Sequence, residues 1–452
     1  MLRQRLLEEQ EICWIILKAN KLLKINQFLL IIFFSLSSCS VLDYFEEEEI
    51  KLVGKREKVF ELQEKKFIKS SSTVILPDPI YIKDWPQNNH NKSNLLSHFL
   101  SEERLKKRWE IKIGKGTGKI GPYIISPIVY KNLIFTIDNY SKIQVRDSKK
   151  GNLIWTKLLK DENDEEINFT GGLSAANETL FITSGIGNIY ALDFKSGNEI
   201  WKKNILTQIS SPPVVSNNKI FITTDDNQLV VLDTLNGDEI WSHSGNIEDV
   251  SIIGGVNPAI KNGIVYVTYS SGEIYALNEN NGTIQWYDNI GGSGILSDGL
   301  ITDIQSPPVI FDEELYVSSF SGTFAAFNAI SGERIWELNL PTINPIIIAG
   351  KYIYLLDTNN KLYCIEKKAG KIIWVVQLKQ KFDDKDIVWV GPILTSNRLI
   401  FASSEGKIIS LSPYNGKMLS LVNEDKVFTI SPIQAGLFLY FMTEEGELVA
   451  YK

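Results

Sequence analysis

A spaced triplet recurs along most of the chain: an acidic or amide residue, Gly four positions later, and Trp four beyond that. The copies are Asp147/Gly151/Trp155, Asp193/Gly197/Trp201, Asp233/Gly237/Trp241, Asn278/Gly282/Trp286 and Asn328/Gly332/Trp336, with weaker versions at Glu366/Gly370/Trp374 and Ser412/Gly416/Ser420. The tryptophans are 38 to 50 residues apart. That interval is the length of a propeller blade, whereas most helical repeats are shorter. The second copy reads as four short strands: Gly172-Leu173-Ser174, Leu180 to Thr183, Asn188 to Asp193 and Glu199 to Trp201. They alternate apolar and polar residues and are bounded by turn formers. Prolines open the first strand of many copies (Pro127, Pro212, Pro258, Pro307, Pro345, Pro392, Pro432). A residue without an N–H suits an edge or the start of a strand.

A flat indole at one fixed place in each blade is expected to dock against the next blade and to donate its N–H to a backbone carbonyl there. The expected docking set is Trp109, Trp155, Trp201, Trp241, Trp286, Trp336 and Trp374. Ser420 breaks the series and should mark the weakest joint. Seven copies supply complete sets of strands, and the chain ends with three more strands and no fourth. Arg108-Trp109-Glu110-Ile111-Lys112 supplies the missing one from the N-terminal side. The expected fold is therefore all-β, an eight-bladed β-propeller over residues 105–452, its last blade closed by an N-terminal strand. Closure of this kind protects sheet edges.

Ahead of the propeller, Lys21 to Lys24 precede an apolar run from Phe28 to Leu36 that ends in small residues. This is the layout of an export signal, and the run is short for a membrane span. Residues 1–38 are expected to be a signal peptide with an unusually long leader of mixed composition. Residues 39–104 are expected to be a flexible tether, carrying the acidic run Glu46 to Glu49 and showing no lasting strand or helix period. Trp85-Pro86-Gln87 is expected to dock locally on the body.

Composition removes several function classes. Three Cys cannot build a disulfide scaffold, and His90, His98 and His243 lack ligand spacing. A formal charge of -7 does not suit a nucleic-acid binder. Gly114 to Lys119 is glycine-rich, but Ile113 and Ile120 occupy positions where a phosphate loop needs Gly and Ser or Thr. Phe382-Asp383-Asp384-Lys385-Asp386 lacks the Gly and terminal Glu of a calcium loop. Cys364 reads as a small core hydrophobe. No catalytic constellation emerges, and no cofactor is expected.

Leu36-Ser37-Ser38-Cys39 resembles a bacterial lipobox, which implies cleavage before Cys39 and lipid on its thiol; Ser40 resembles the outer-membrane sorting pattern. The Ala-Leu-Asp…Gly…Trp blades resemble both the quinoprotein dehydrogenases and the BamB family of outer-membrane assembly lipoproteins. Gly54-Lys55-Arg56-Glu57, Trp85-Pro86-Gln87, Gly171-Gly172-Leu173, Trp241-Ser242-His243, Tyr269-Ser270-Ser271-Gly272-Glu273 and Ile387-Val388-Trp389-Val390-Gly391-Pro392 are similar to the alphaproteobacterial form of that family. Quinoproteins usually carry a vicinal Cys-Cys pair and a Glu/Asn/Asp calcium set; this chain has no Cys-Cys pair. The resemblance implies a non-enzymatic scaffold at the periplasmic face of the outer membrane, in contact with a BamA POTRA domain and possible unfolded outer-membrane proteins. The alternatives are a pyrroloquinoline-quinone dehydrogenase and a ligand-binding propeller. In the family, two loops hold BamA. The matching positions here are Val250, Ile252 and Ile253 in the first loop, where Ile253 stands in place of Arg, and Asp303 and Gln305 in the second, where Gln305 stands in place of Asp.

Overall fold

Every copy of the repeat forms one four-stranded antiparallel sheet whose strands follow chain order from the innermost to the outermost. The computed structural model describes residues 73–116, 125–159, 171–246, 255–291, 304–379, 381–382 and 385–452, all within one unit, Lys65–Lys452. Blades 1 to 7 span 128–158, 171–204, 214–244, 259–289, 309–339, 347–377 and 389–423. Blade 8 combines Ile433–Ala435, Phe438–Met442 and Glu447–Tyr451 with Lys107–Lys112 as its outermost strand. Trp109 pairs with Ala450 and Lys112 with Glu447, so the two ends of the propeller sequence share one sheet.

In blade 2 the second and third strands are almost wholly buried, while the outermost strand alternates exposed and half-buried residues; the outermost strand of blade 7 is exposed throughout. In blades 1 to 7 a one-residue bulge interrupts the outer pair directly before the Trp position. The bulge adds twist. It leaves Ile154, Ile200, Ile240 and Ile335 pointing to solvent.

The indole series is a chain of inter-blade hydrogen bonds. Trp109 Nε1 donates to Lys149 O at 2.9 Å, Trp155 to Phe194 O at 3.1 Å and Trp201 to Thr234 O at 3.0 Å. Trp241 donates to Glu279 O at 3.3 Å, Trp286 to Ala329 O at 2.8 Å and Trp336 to Lys367 O at 2.8 Å. Each ring lies under the glycine of the next blade's outer turn. At Gly197 (φ +74°) a Cβ would come within 2.9 Å of the Trp155 ring, so both the backbone angle and the contact require glycine. Trp374 packs under Gly416 but has no acceptor. The Pro413 carbonyl, in the position that serves the other indoles, accepts from the Tyr354 hydroxyl at 3.0 Å.

The expectation of a solvated tether up to residue 104 fails from Thr73 onward. That stretch is a strap lying across the inner ends of the blades, with Trp85, Asn94, Leu96, His98 and Phe99 all buried. It lacked a period because its backbone is paired with many different strands rather than with one neighbour. Cys39 and residues 1–72 lie outside the described residues.

Candidate partner-binding face and central funnel

The strap follows the ring through all eight blades. Gly436 of blade 8 donates its N–H to Ile82 O at 2.8 Å, and Trp85 and Val129 of blade 1 exchange backbone bonds of 2.7 and 2.8 Å. Ala175 of blade 2 donates to Pro86 O at 2.7 Å, and Val215 of blade 3 to Gln87 Oε1 at 3.3 Å. Ile260 of blade 4, Ile310 of blade 5 and Ile348 of blade 6 donate to the carbonyls of Lys92, Ser93 and Leu96. Phe99 donates to Leu394 O of blade 7, and Gln434 of blade 8 reaches Leu100 O at 2.6 Å. Having gone once round, the strap pairs with itself: Ile80 donates to His98 O and Leu100 to Ile80 O. The innermost strands are open edges, and the strap supplies their missing partners.

Two histidines are locked inside the strap. His98 Nδ1 donates to the Pro77 carbonyl at 2.7 Å, so Nε2 is the unprotonated nitrogen that accepts the Asn397 N–H at 2.9 Å. Burial lowers its pKa, against the partial opposition of the Pro77 bond and Asp78. His90 lies between Trp85 and Phe99, with ring centroids 5.3 and 5.5 Å away, and burial brings it down to about 4. The lone thiol expected in the core, Cys364, is buried, which pushes it up to about 12.

The strap closes the end of the channel where first and second strands turn, as its bonds to Lys131, Ser396 and Gly436 in those turns require. The opposite end remains a funnel of about 400 Å³, floored by Trp85, Asn88, Asn89 and Leu96. Its wall is built from the residues leading into the innermost strands, including Ser126, Gly172, Pro212, Gly255, Gln305, Pro307, Asn344, Pro345, Pro392, Ser431 and Pro432. No Lys, Arg, Asp, Glu, His or Cys is among the described lining residues.

Described parts of the connections from the outermost strand of one blade to the innermost strand of the next line the funnel, among them Ser210, Gly255, Gln305, Asn344 and Ser431. Val250, Ile252 and Ile253 belong to the connection between blades 4 and 3, and Asp303 to that between blades 5 and 4; all four lie outside the described residues. Gln305 is described and lines the funnel. The roots of both loops are well ordered by hydrogen bonds. Asn246, just before the first loop, donates its backbone N–H and its side-chain amide to Glu273, each at 2.7 Å. Ser271 and Tyr275 complete the shell of that buried carboxylate. Past the loop, Asn257 is held by the strap: Asn88 donates to its Oδ1 at 2.9 Å, and its own amide donates to Asn94 Oδ1 at 2.5 Å. Asn94 in turn donates to the carbonyls of Pro258 and of Pro308, which follows the second loop. Sequence reading gave Asn94 no role, and noted Glu273 only within a family-like segment. The run of carboxamides from Gln87 to Asn94 was the available signal, since such side chains seldom crowd together without backbone to satisfy.

No group of three or more His, Cys, Asp or Glu that could hold a metal occurs among the described residues. The funnel wall likewise offers no cation to an anionic quinone, so the described residues do not fit a quinoprotein cofactor.

Comparison with known proteins agrees with this architecture. The chain is 28% identical over 348 residues to the outer membrane protein assembly factor BamB of Salmonella typhimurium, covering 76% of this chain and 87% of that protein. Its fold is similar to the crystal structure of BamB from Moraxella catarrhalis (TM-score 0.65, 18% identity, 77% of this chain and 100% of that one). It is also similar to the quinohemoprotein alcohol dehydrogenase of Comamonas testosteroni (TM-score 0.65, 13% identity, 82% of this chain and 80% of that one). The second likeness is one of fold alone. Residues 107–376 match the family profile described as outer membrane protein assembly factor BamB, and the chain belongs to that family.

Proposed function

We propose that the protein is a non-catalytic scaffold of outer-membrane protein assembly, tethered to the periplasmic face of the outer membrane through a lipid on Cys39. It presents the loops carrying Val250, Ile252, Ile253, Asp303 and Gln305 to a BamA POTRA domain. The observation that carries this reading is the shared support of the two loops. They follow consecutive blades on the funnel side, and Asn94 bonds the backbone just beyond each. A rigid base lowers the ordering cost that a partner would otherwise have to offset. Apolar anchors at Val250, Ile252 and Ile253 would contribute most of the affinity, with Asp303 supplying the polar contact.

The neutral funnel wall favours this reading over a dehydrogenase. The test is co-purification from solubilised outer membranes. Ile252→Asp combined with Asp303→Arg should abolish recovery of BamA while circular dichroism stays that of the wild type. Undiminished recovery would refute the interface. Labelling with radioactive palmitate should be lost in Cys39→Ser.

A further inference from the structure

Two features of the funnel bear on a ligand of its own. The first is its neutrality. A cavity of about 400 Å³ falls within the ~300–1,000 Å³ of typical ligand sites. Its described wall is a ring of proline faces, with Phe320 and Ile343 exposed at the rim (38% and 49%). The second is a pair of idle carboxamides. Asn89, in the floor, and Asn344, in the wall, are each 9% exposed and line the funnel. Neither side chain has a hydrogen-bond partner among the described residues, and Ser431 beside them offers a further hydroxyl. Both amides line the open funnel and are left to bond whatever enters it.

We infer that the funnel is a binding site for a short, uncharged, apolar peptide segment. A carboxamide carries an N–H donor and a C=O acceptor in one plane, and a peptide group presents the same pair reversed. Asn89 and Asn344 would hold the backbone of the segment, and the proline and isoleucine faces would cover its side chain. A charged ligand would lose its hydration without gaining a counter-ion from this wall. The blind floor made by the strap limits the occupant to a chain end or a tight turn. The inference rests on the walls of the funnel and not on the identity of the partner at the neighbouring loops.

Isothermal titration of the full chain tests it with four probes: acetyl-Ala-Phe-Ala-amide, acetyl-Asp-Phe-Asp-amide, chitobiose and pyrroloquinoline quinone. The neutral peptide should bind saturably, and the acidic one at least about tenfold more weakly. Asn344→Asp, which keeps the side-chain volume, should weaken the neutral peptide by roughly the same factor. Ser431→Trp, which fills the cavity, should abolish binding, with melting temperature confirming that both variants fold. Absence of saturable binding, equal affinity for the two peptides, wild-type affinity in Asn344→Asp, or tighter binding of chitobiose or the quinone would each overturn the assignment.

Discussion

The side chains of Asn94 and Asn257 are bonded to each other at 2.5 Å, one from the strap and the other from the connection between blades 3 and 4. Asn94 is 1% exposed and Asn257 is wholly buried, so water cannot replace either partner. The strap is thus part of the support of the funnel side, although it closes the opposite end of the channel.

Asn94→Ala should release that support. It strands the Asn257 amide and three backbone carbonyls, at a cost of about 1–3 kcal/mol for each buried group left unpaired. Amide exchange at Ile260 and Ile310, the strap-bonded residues of blades 4 and 5, should speed up, while exchange in blades 1 and 7 stays protected. Recovery of BamA should fall without global unfolding.

Acid should loosen the strap before it unfolds the propeller. His90 and His98 are neutral in the fold and have pKa values below the ordinary histidine range. Between pH 6.5 and about 4 the unfolded chain therefore binds more protons, and stability falls as pH falls. For His90 alone the shift to about 4 corresponds to about 3 kcal/mol over that window. Melting temperature measured from pH 7 to pH 4 should decline, and His90→Phe should flatten part of the slope. Glu110, held below the usual carboxylate range by its bond to Lys426, loses its contribution only at lower pH.

The indoles should differ in what they contribute. Trp286 donates to Ala329 O at 2.8 Å, while the Trp374 N–H is buried without an acceptor. Phenylalanine retains much of the apolar contact and removes the N–H. Trp286→Phe should therefore be more destabilising than Trp374→Phe, by about 1 kcal/mol in urea unfolding, the net worth of one hydrogen bond. Equal losses would mean that packing alone holds these joints.

The ring was legible because each blade must repeat the same solution: alternation for burial, glycine for a left-handed turn, indole for the joint. Gly197 and Trp155 show the coupling, since neither works without the other. The strap was not legible. A strap residue such as Trp85 takes its backbone partners from Val129 of blade 1, and no local period records that. The role of Glu273 was not legible for a related reason: it depends on Asn246 and Ser271 meeting it in space, which no local pattern records.

Ser420 stands where the other copies have tryptophan because blade 8 has no outer turn to receive an indole. Its third strand is Glu447–Tyr451, and its fourth, Lys107–Lys112, comes from the other end of the propeller sequence. Ser420 Oγ is instead bonded to Ser410 Oγ at 2.5 Å. This joint is polar: Lys107 lies 2.8 Å from Glu424, Lys426 lies 2.7 Å from Glu110 and 2.5 Å from Glu447, and the Tyr451 hydroxyl donates to Glu424. Burial works against the charge on Lys426, but the Glu110 and Glu447 carboxylates outweigh it and push the pKa up to about 12. That stabilisation is complete below the ordinary lysine pKa and disappears as pH rises through about 12. Ser420→Trp should accordingly give no gain in melting temperature, for want of a carbonyl and a glycine to dock on. Lys426→Met should cost about 1–2 kcal/mol, as removal of a charge-assisted bond does. Because the lost contacts are ionic, raising the salt concentration should narrow the gap between Lys426→Met and wild type, whereas Trp286→Phe should keep its deficit at every salt concentration.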